Sequence, residues 1–151
     1  MTTSTTDSIK KQTVLRASPA RVWRAISQAR EFSAWFGAEV RDDFAPGATV
    51  HGKVTYQGKE MTFTMQIERM EPERLLSFRW HPFAVDPTVD YTHEPTTLVE
   101  LTLAPAPEGT LLTVTETGFD KIPIARRAKA FEMNDGGWAA QMENIAKYVD
   151  A

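Results

Sequence analysis

The chain has 151 residues, enough for one domain, and a domain of that size buries roughly 68–70% of its unfolded surface, which allows a core and a pocket. Hydrophobic residues make up 42% and charged residues 25%, which excludes a disordered or fibrous chain, and a net charge of −3 disfavours nucleic acid or an anionic membrane surface as a general partner. The absence of cysteine excludes disulfides, thiolate metal sites and cysteine-ligated iron–sulfur clusters.

Residues 1–8 are small and polar and read as a frayed tail ahead of a single domain over 9–151. No apolar h-region follows Met1, and no window approaches roughly 18 consecutive apolar residues, so a cytoplasmic protein is the default expectation. Ile9 to Ala17 reads as a strand. Ser18-Pro19 then supplies a helix cap and a first-turn proline, and Val22, Trp23 and Ile26 share one helical face. A second short helix is expected over 28–36, burying Phe32, Trp35 and Phe36, with Gly37 as its stop.

From Ala38 to Phe119 the pattern changes to short alternating runs broken by turns at Pro46-Gly47 and Gln57-Gly58-Lys59, which predicts an antiparallel meander. Phe63, Met65 and Ile67 share one parity, Leu76, Phe78 and Trp80 another inward set, and Val99, Leu101, Leu103, Leu112 and Val114 repeat it. The segment from His81 to Pro95 exceeds the usual connection of roughly 4–6 residues and reads as a polar lid, stiffened by Pro82, Pro87 and Pro95. After Phe119, Ile122-Pro123 introduces a helical segment with Ile124, Ala128 and Phe131. Asn134-Asp135 reads as a cap or break before a final helix that starts at Gly136-Gly137-Trp138 and buries Met142, Ile145 and Val149. The two glycines are expected to let that helix start close to the sheet, so that it roofs a cavity.

Ala17-Ser18-Pro19 with Val22-Trp23, then Trp35-Phe36, Phe44-Ala45-Pro46-Gly47, Leu76-Ser77-Phe78-Arg79-Trp80, Glu116-Thr117-Gly118-Phe119 and Gly137-Trp138, in this order, resemble the START-like (SRPBCC) superfamily. The chain is most similar to its bacterial branch related to the C-terminal domain of the heat-shock-protein-90 ATPase activators. The resemblance implies an α+β helix-grip fold: a curved antiparallel sheet of about six to seven strands around a long C-terminal helix, with two short helices after the first strand. It also implies an apolar cavity between sheet and helix. The fold alone does not define one function, because the same frame serves binding, transport, cyclisation and chaperone assistance.

The cavity candidates are the side chains aimed at the helix: Trp35, Phe63, Met65, Phe78, Trp80, Val114, Phe131, Trp138 and Met142, with Tyr91 from the lid. Glu116 is the most informative polar residue, because parity with Leu112 and Val114 turns its carboxylate inward, where it must be paired, solvated or protonated. It is a candidate ligand anchor or general base. His81, Asp86, Asp90, Tyr91, His93 and Glu94 crowd the lid, but their spacing fits no metal motif. His51 reads as exposed, and Arg126, Arg127 and Lys129 read as a solvated helix face. No cysteine nucleophile, Gly-x-Ser-x-Gly elbow or dinucleotide fingerprint is present.

The expected function is binding of a small hydrophobic or aromatic molecule without a metal or other cofactor, by a monomer or weak homodimer. The resemblance adds a chaperone ATPase as an alternative partner and links the chain to the stress response. A cyclase or hydratase using Glu116 with His81 or Tyr91 is the third reading.

Overall fold

Ser18 begins the first helix by the chemistry of a cap: its hydroxyl accepts from the Arg21 amide at 3.2 Å, and Pro19 occupies the first helical position where no amide is needed. The computed structural model describes residues 6–86 and 88–150. In chain order the elements are β1 (Ser8–Leu15), α1 (Pro19–Ser27), α2 (Ala29–Phe36), β2 (Glu39–Val40), β3 (Thr49–Tyr56), β4 (Lys59–Glu71), β5 (Leu75–Trp80), β6 (Thr97–Ala106), β7 (Gly109–Thr117), a 3-10 turn (Phe119–Lys121) and α3 (Ile124–Val149).

The sheet has seven antiparallel strands in the order β1-β7-β6-β5-β4-β3-β2. Strands β2 to β7 form the expected meander, and the first strand adds to the last, so α1 and α2 carry the chain from one edge to the other. Two local devices fix this path. Gly37 ends α2 in the left-handed region at φ 81°, with its amide on the Ser33 carbonyl. Gln57 and Gly58, both at positive φ, form the two-residue turn that joins β3 to β4 with the right twist for a hairpin.

Alternation then sorts the side chains. In β4, Met61, Met65 and Ile67 are buried while Thr62, Thr64, Gln66 and Glu68 face water. In β7, Leu112, Val114 and Glu116 are fully buried. These faces meet α3, whose buried stripe is Ala130, Trp138, Met142, Ile145 and Val149. The short helices close one end of the core through Val22, Ile26, Phe32 and Trp35, and the Trp35 indole donates to the Ala25 carbonyl at 2.8 Å. Glu31 knits all three helices: it pairs with Arg21 at 2.5 Å and accepts from the Tyr148 hydroxyl at 3.1 Å. Burial pulls its carboxyl upward, but the bonds to Arg21 and Tyr148 prevail and hold it below the ordinary range.

Two expectations are corrected here. The expected 1–8 tail lies outside the described residues up to residue 5, but order begins before residue 9. The Thr6 hydroxyl bonds Asp120 at 2.6 Å, the Asp7 carbonyl accepts from Gly118 and Phe119, and β1 starts at Ser8. The larger correction concerns Gly136-Gly137. The final helix does not start there: α3 is one continuous helix of 26 residues, and the glycines lie inside it. Asn134 and Asp135 are not caps, since Asn134 reaches Glu116 and Asp135 pairs with Lys11 on β1 at 3.1 Å. Nor do the glycines permit a close approach, because a Cβ added at either would meet nothing within 4 Å. Contacts made elsewhere along α3 outweigh the local helix-breaking signal. Alanine at either position is therefore expected to raise stability by about 0.5–1 kcal/mol, measured by urea unfolding. A loss of stability would mean that the glycines serve a contact absent from this structure.

Candidate functional site

The strand parity that turns Glu116 inward places its carboxylate beneath α3, at 0% exposure. Four side chains donate to it. The Trp80 indole (2.8 Å) and the Thr97 hydroxyl (2.5 Å) reach Oε2, the Trp138 indole (2.8 Å) reaches Oε1, and the Asn134 amide spans both oxygens at 3.0 and 3.1 Å. No cation pairs with Glu116 among the described residues. The carboxylate is instead satisfied by oriented neutral donors from β5, β6 and α3, so it ties the long helix to three strands. A carboxylate offers about four lone-pair sites, and these donors occupy them.

The other sequence candidates fall into three groups. Met65, Phe78 and Val114 are fully buried, and Trp35, Trp138 and Met142 are nearly so; they fill the space between sheet and helices. Phe131 is half-buried and packs edge-on against Phe119 at 5.2 Å. Trp80 is half-buried beside Phe78 (5.2 Å) and Trp138 (5.9 Å). Between sheet and α3 the structure leaves a slot of about 140 Å³ bordered by Phe36, Trp80, Asn134, Gly137, Trp138 and Gln141. The cavity expected there is thus mostly occupied by its own lining. Large aromatic side chains on both faces take up the volume.

The roomier recess lies elsewhere, and Phe63 and Tyr91 are the sequence candidates that line it. Residues 59–65 of β4 pair with β3 alone, because β5 joins β4 only from Gln66 onward. Past Trp80 the chain leaves the sheet, and the 81–96 segment covers the open flank. The resulting groove has a volume of about 530 Å³. One wall carries Arg41, His51 and Lys53 from β3 and the end of β2, with Thr62 and Thr64 from β4; the other carries His81, Ala84, Val89 and Tyr91. Gly52 makes room for its cross-strand partner: a Cβ there would lie 2.4 Å from the Phe63 ring. No group of three or more His, Asp or Glu side chains among the described residues is arranged to hold a metal.

The covering segment is pinned. Asp86 accepts from the amide and hydroxyl of Thr88, and Asp90 likewise from Thr92, bonds that hold both carboxyls below their ordinary range. The strongest anchor was expected to be a solvated residue. Arg126, 18% exposed at its side chain, reaches Glu94 at 2.6–2.8 Å, donates to the carbonyls of Pro82 (2.7 Å) and Phe83 (3.3 Å), and lies 4.8 Å from the Tyr91 ring centroid. One guanidinium on α3 thus grips both ends of the groove wall. Sequence reasoning missed it because two of its partners are backbone carbonyls, which carry no side-chain signature. Phe36 and Gln141 at the slot were also missed, though Asn134 and Trp138 are four apart on one helix face and share Glu116.

A seven-stranded antiparallel sheet closed over one long C-terminal helix, with two short helices after the first strand, defines a helix-grip domain of the START-like type. Solved structures share it. A crystal structure of a protein from Mesorhizobium loti superposes with a TM-score of 0.75 at 21% identity, covering 95% of this chain and 96% of that one. A crystal structure from Chromobacterium violaceum gives 0.75 at 21% identity, covering 96% and 99%. The solution structure of the Aha1 dimer from Colwellia psychrerythraea gives 0.70 at 12% identity, covering 95% and 96%. Comparison with curated proteins by sequence gives no match. The chain belongs to the family described as Activator of Hsp90 ATPase homolog 1-like protein, whose sequence model matches residues 16–150. No helix among the described residues is long and apolar enough to cross a membrane.

Proposed function

We propose that this domain is a cytoplasmic binding protein for a small molecule with an aromatic or otherwise apolar body, and that the ligand occupies the groove between the β3–β4 hairpin and the 81–96 segment. The observation that carries this reading is the groove's volume of about 530 Å³, within the roughly 300–1,000 Å³ of small-molecule sites, between a wall that presents Tyr91, Ala84 and Val89 and the outer face of the β3–β4 hairpin. The slot of about 140 Å³ beneath α3 is too small for such a ligand. Burying about 200 Å² of apolar ligand surface supplies about 5 kcal/mol, a sub-millimolar affinity, so tighter binding requires polar contacts. The reading needs no cofactor.

Native mass spectrometry of the purified protein, with fluorescence titration by a panel of single-ring and two-ring compounds, tests it. A retained adduct or saturable quenching supports the proposal, and neither signal across the panel contradicts it. The site residues beneath α3 act here as scaffold. Neither His81 nor Tyr91 is among the partners of Glu116: His81 Nε2 faces the Glu94 carbonyl at 3.1 Å and the Tyr91 hydroxyl accepts from the Asp86 amide. Nothing in this geometry favours the acid–base reading.

A second reading follows from the family description, which names activators of the Hsp90 ATPase. It makes the domain a partner of a chaperone ATPase in the stress response, alone or as a weak homodimer; the Colwellia Aha1 structure is a dimer. Stimulation of a purified chaperone ATPase by this chain supports it; unchanged turnover at saturating protein removes it.

A further inference from the structure

Most polar groups around the groove are already engaged within the protein. Arg41 Nε holds Glu39 at 3.1 Å, Lys53 holds Glu60 at 2.8 Å, and the Asp90 carboxylate accepts from Thr92. His51 is different. Its backbone amide and its Nδ1 both meet Asp42 Oδ2, each at 2.7 Å, so one carboxylate oxygen fixes both the backbone and the ring of a single residue. Those bonds, the backbone one first, hold the Asp42 carboxyl below its ordinary range. An ionised Asp42 can only accept, which assigns the proton to Nδ1 and leaves Nε2 as an acceptor in the neutral ring. Nε2 has no partner among the described residues.

The ring stands on the outer parity of β3, directly across from Thr64 of β4, with Arg41, just past the end of β2, beside it on the other side. The facing wall offers an aromatic ring at Tyr91 and apolar surface at Ala84 and Val89. From this arrangement, and resting on the groove reading above, we propose that the groove selects aromatic molecules bearing a free hydroxyl, a phenol class of ligand, whose O–H donates to His51 Nε2. His81 is the competing acceptor. Its Nε2 faces the Glu94 carbonyl, which leaves Nδ1, but a neutral carbonyl orients that ring without the polarisation a carboxylate gives.

Fluorine NMR titrations with 4-fluorophenol and 4-fluoroanisole test the proposal, since the two differ only in the donor. The expected result is binding of 4-fluorophenol about threefold to tenfold tighter, the value of one hydrogen bond. His51→Phe is expected to bring that ratio to about one, Asp42→Asn to lower it, and His81→Phe to retain it. Equal binding of both compounds by the unaltered protein, or a ratio that survives His51→Phe, overturns the proposal and leaves the groove reading intact. Failure of both compounds to bind overturns the groove reading itself. Circular dichroism of each variant establishes that the fold is kept before the ratios are compared.

Discussion

Replacing Glu116 with alanine is expected to lower the unfolding free energy by about 3–5 kcal/mol, a large part of the roughly 5–15 kcal/mol typical of a domain. The loss has two sources. Four donors, the indoles of Trp80 and Trp138, the Asn134 amide and the Thr97 hydroxyl, are left without their acceptor, two of them (Thr97 and Trp138) buried, and removal of the side chain leaves a void beneath α3. Glu116→Gln keeps the volume but turns an amide NH2 toward a site lined by donors, two of them indoles that cannot accept, and about 2–4 kcal/mol is expected. Urea unfolding followed by tryptophan emission reads both, because two of the four tryptophans are direct partners of the residue. A change under about 1 kcal/mol for alanine would show that these bonds do not hold α3 to the sheet.

The second large effect is local. Arg126→Gln removes the charge paired with Glu94, the stack on Tyr91 and two bonds to loop carbonyls. Because Arg126 bridges α3 to the covering segment and not to the core, the segment is expected to open while the sheet persists. Loss of about 2–3 kcal/mol of local stability corresponds to hydrogen exchange about 30- to 160-fold faster at the amides of 81–96. The amides of β6 and β7 keep their protection. Arg126→Lys restores charge without the planar fork and recovers only part of the effect. Exchange that accelerates equally over the whole chain would mean that Arg126 supports the core instead.

Period-2 alternation and turn chemistry were enough to read the meander and the inward direction of Glu116, because both depend on neighbours in sequence. The cap at Ser18 and the stop at Gly37 were legible for the same reason. The partners of Glu116 were not: Asn134 and Trp80 lie 18 and 36 residues away from it, and no periodicity links a helix to a strand end. Gly136-Gly137 misled because the local signal of a helix boundary is weaker than the packing of Ala130 on one side and Trp138, Met142 and Ile145 on the other.

The groove was hidden for a different reason. It arises where β4 outruns β5, which depends on pairing register, and its polar wall consists of the face that alternation marks as solvent-facing. His51 is indeed largely exposed, but its pairing with Asp42 spans the β2–β3 connection and leaves no mark in the local pattern. Phe63 shares a parity with Met65 and Ile67, so its ring lies on the inner face beside Trp80, and it borders the groove only because β4 runs past the end of β5 there.

The most direct test of the account is a protein-observed NMR titration with 4-fluorophenol on uniformly labelled protein. Saturable amide shifts centred on Gly52, Phe63 and Tyr91, with Trp138 and Met142 unmoved, are the expected result. Shifts centred on Trp138, Met142 and Gly137, or no saturable shift anywhere, would contradict it.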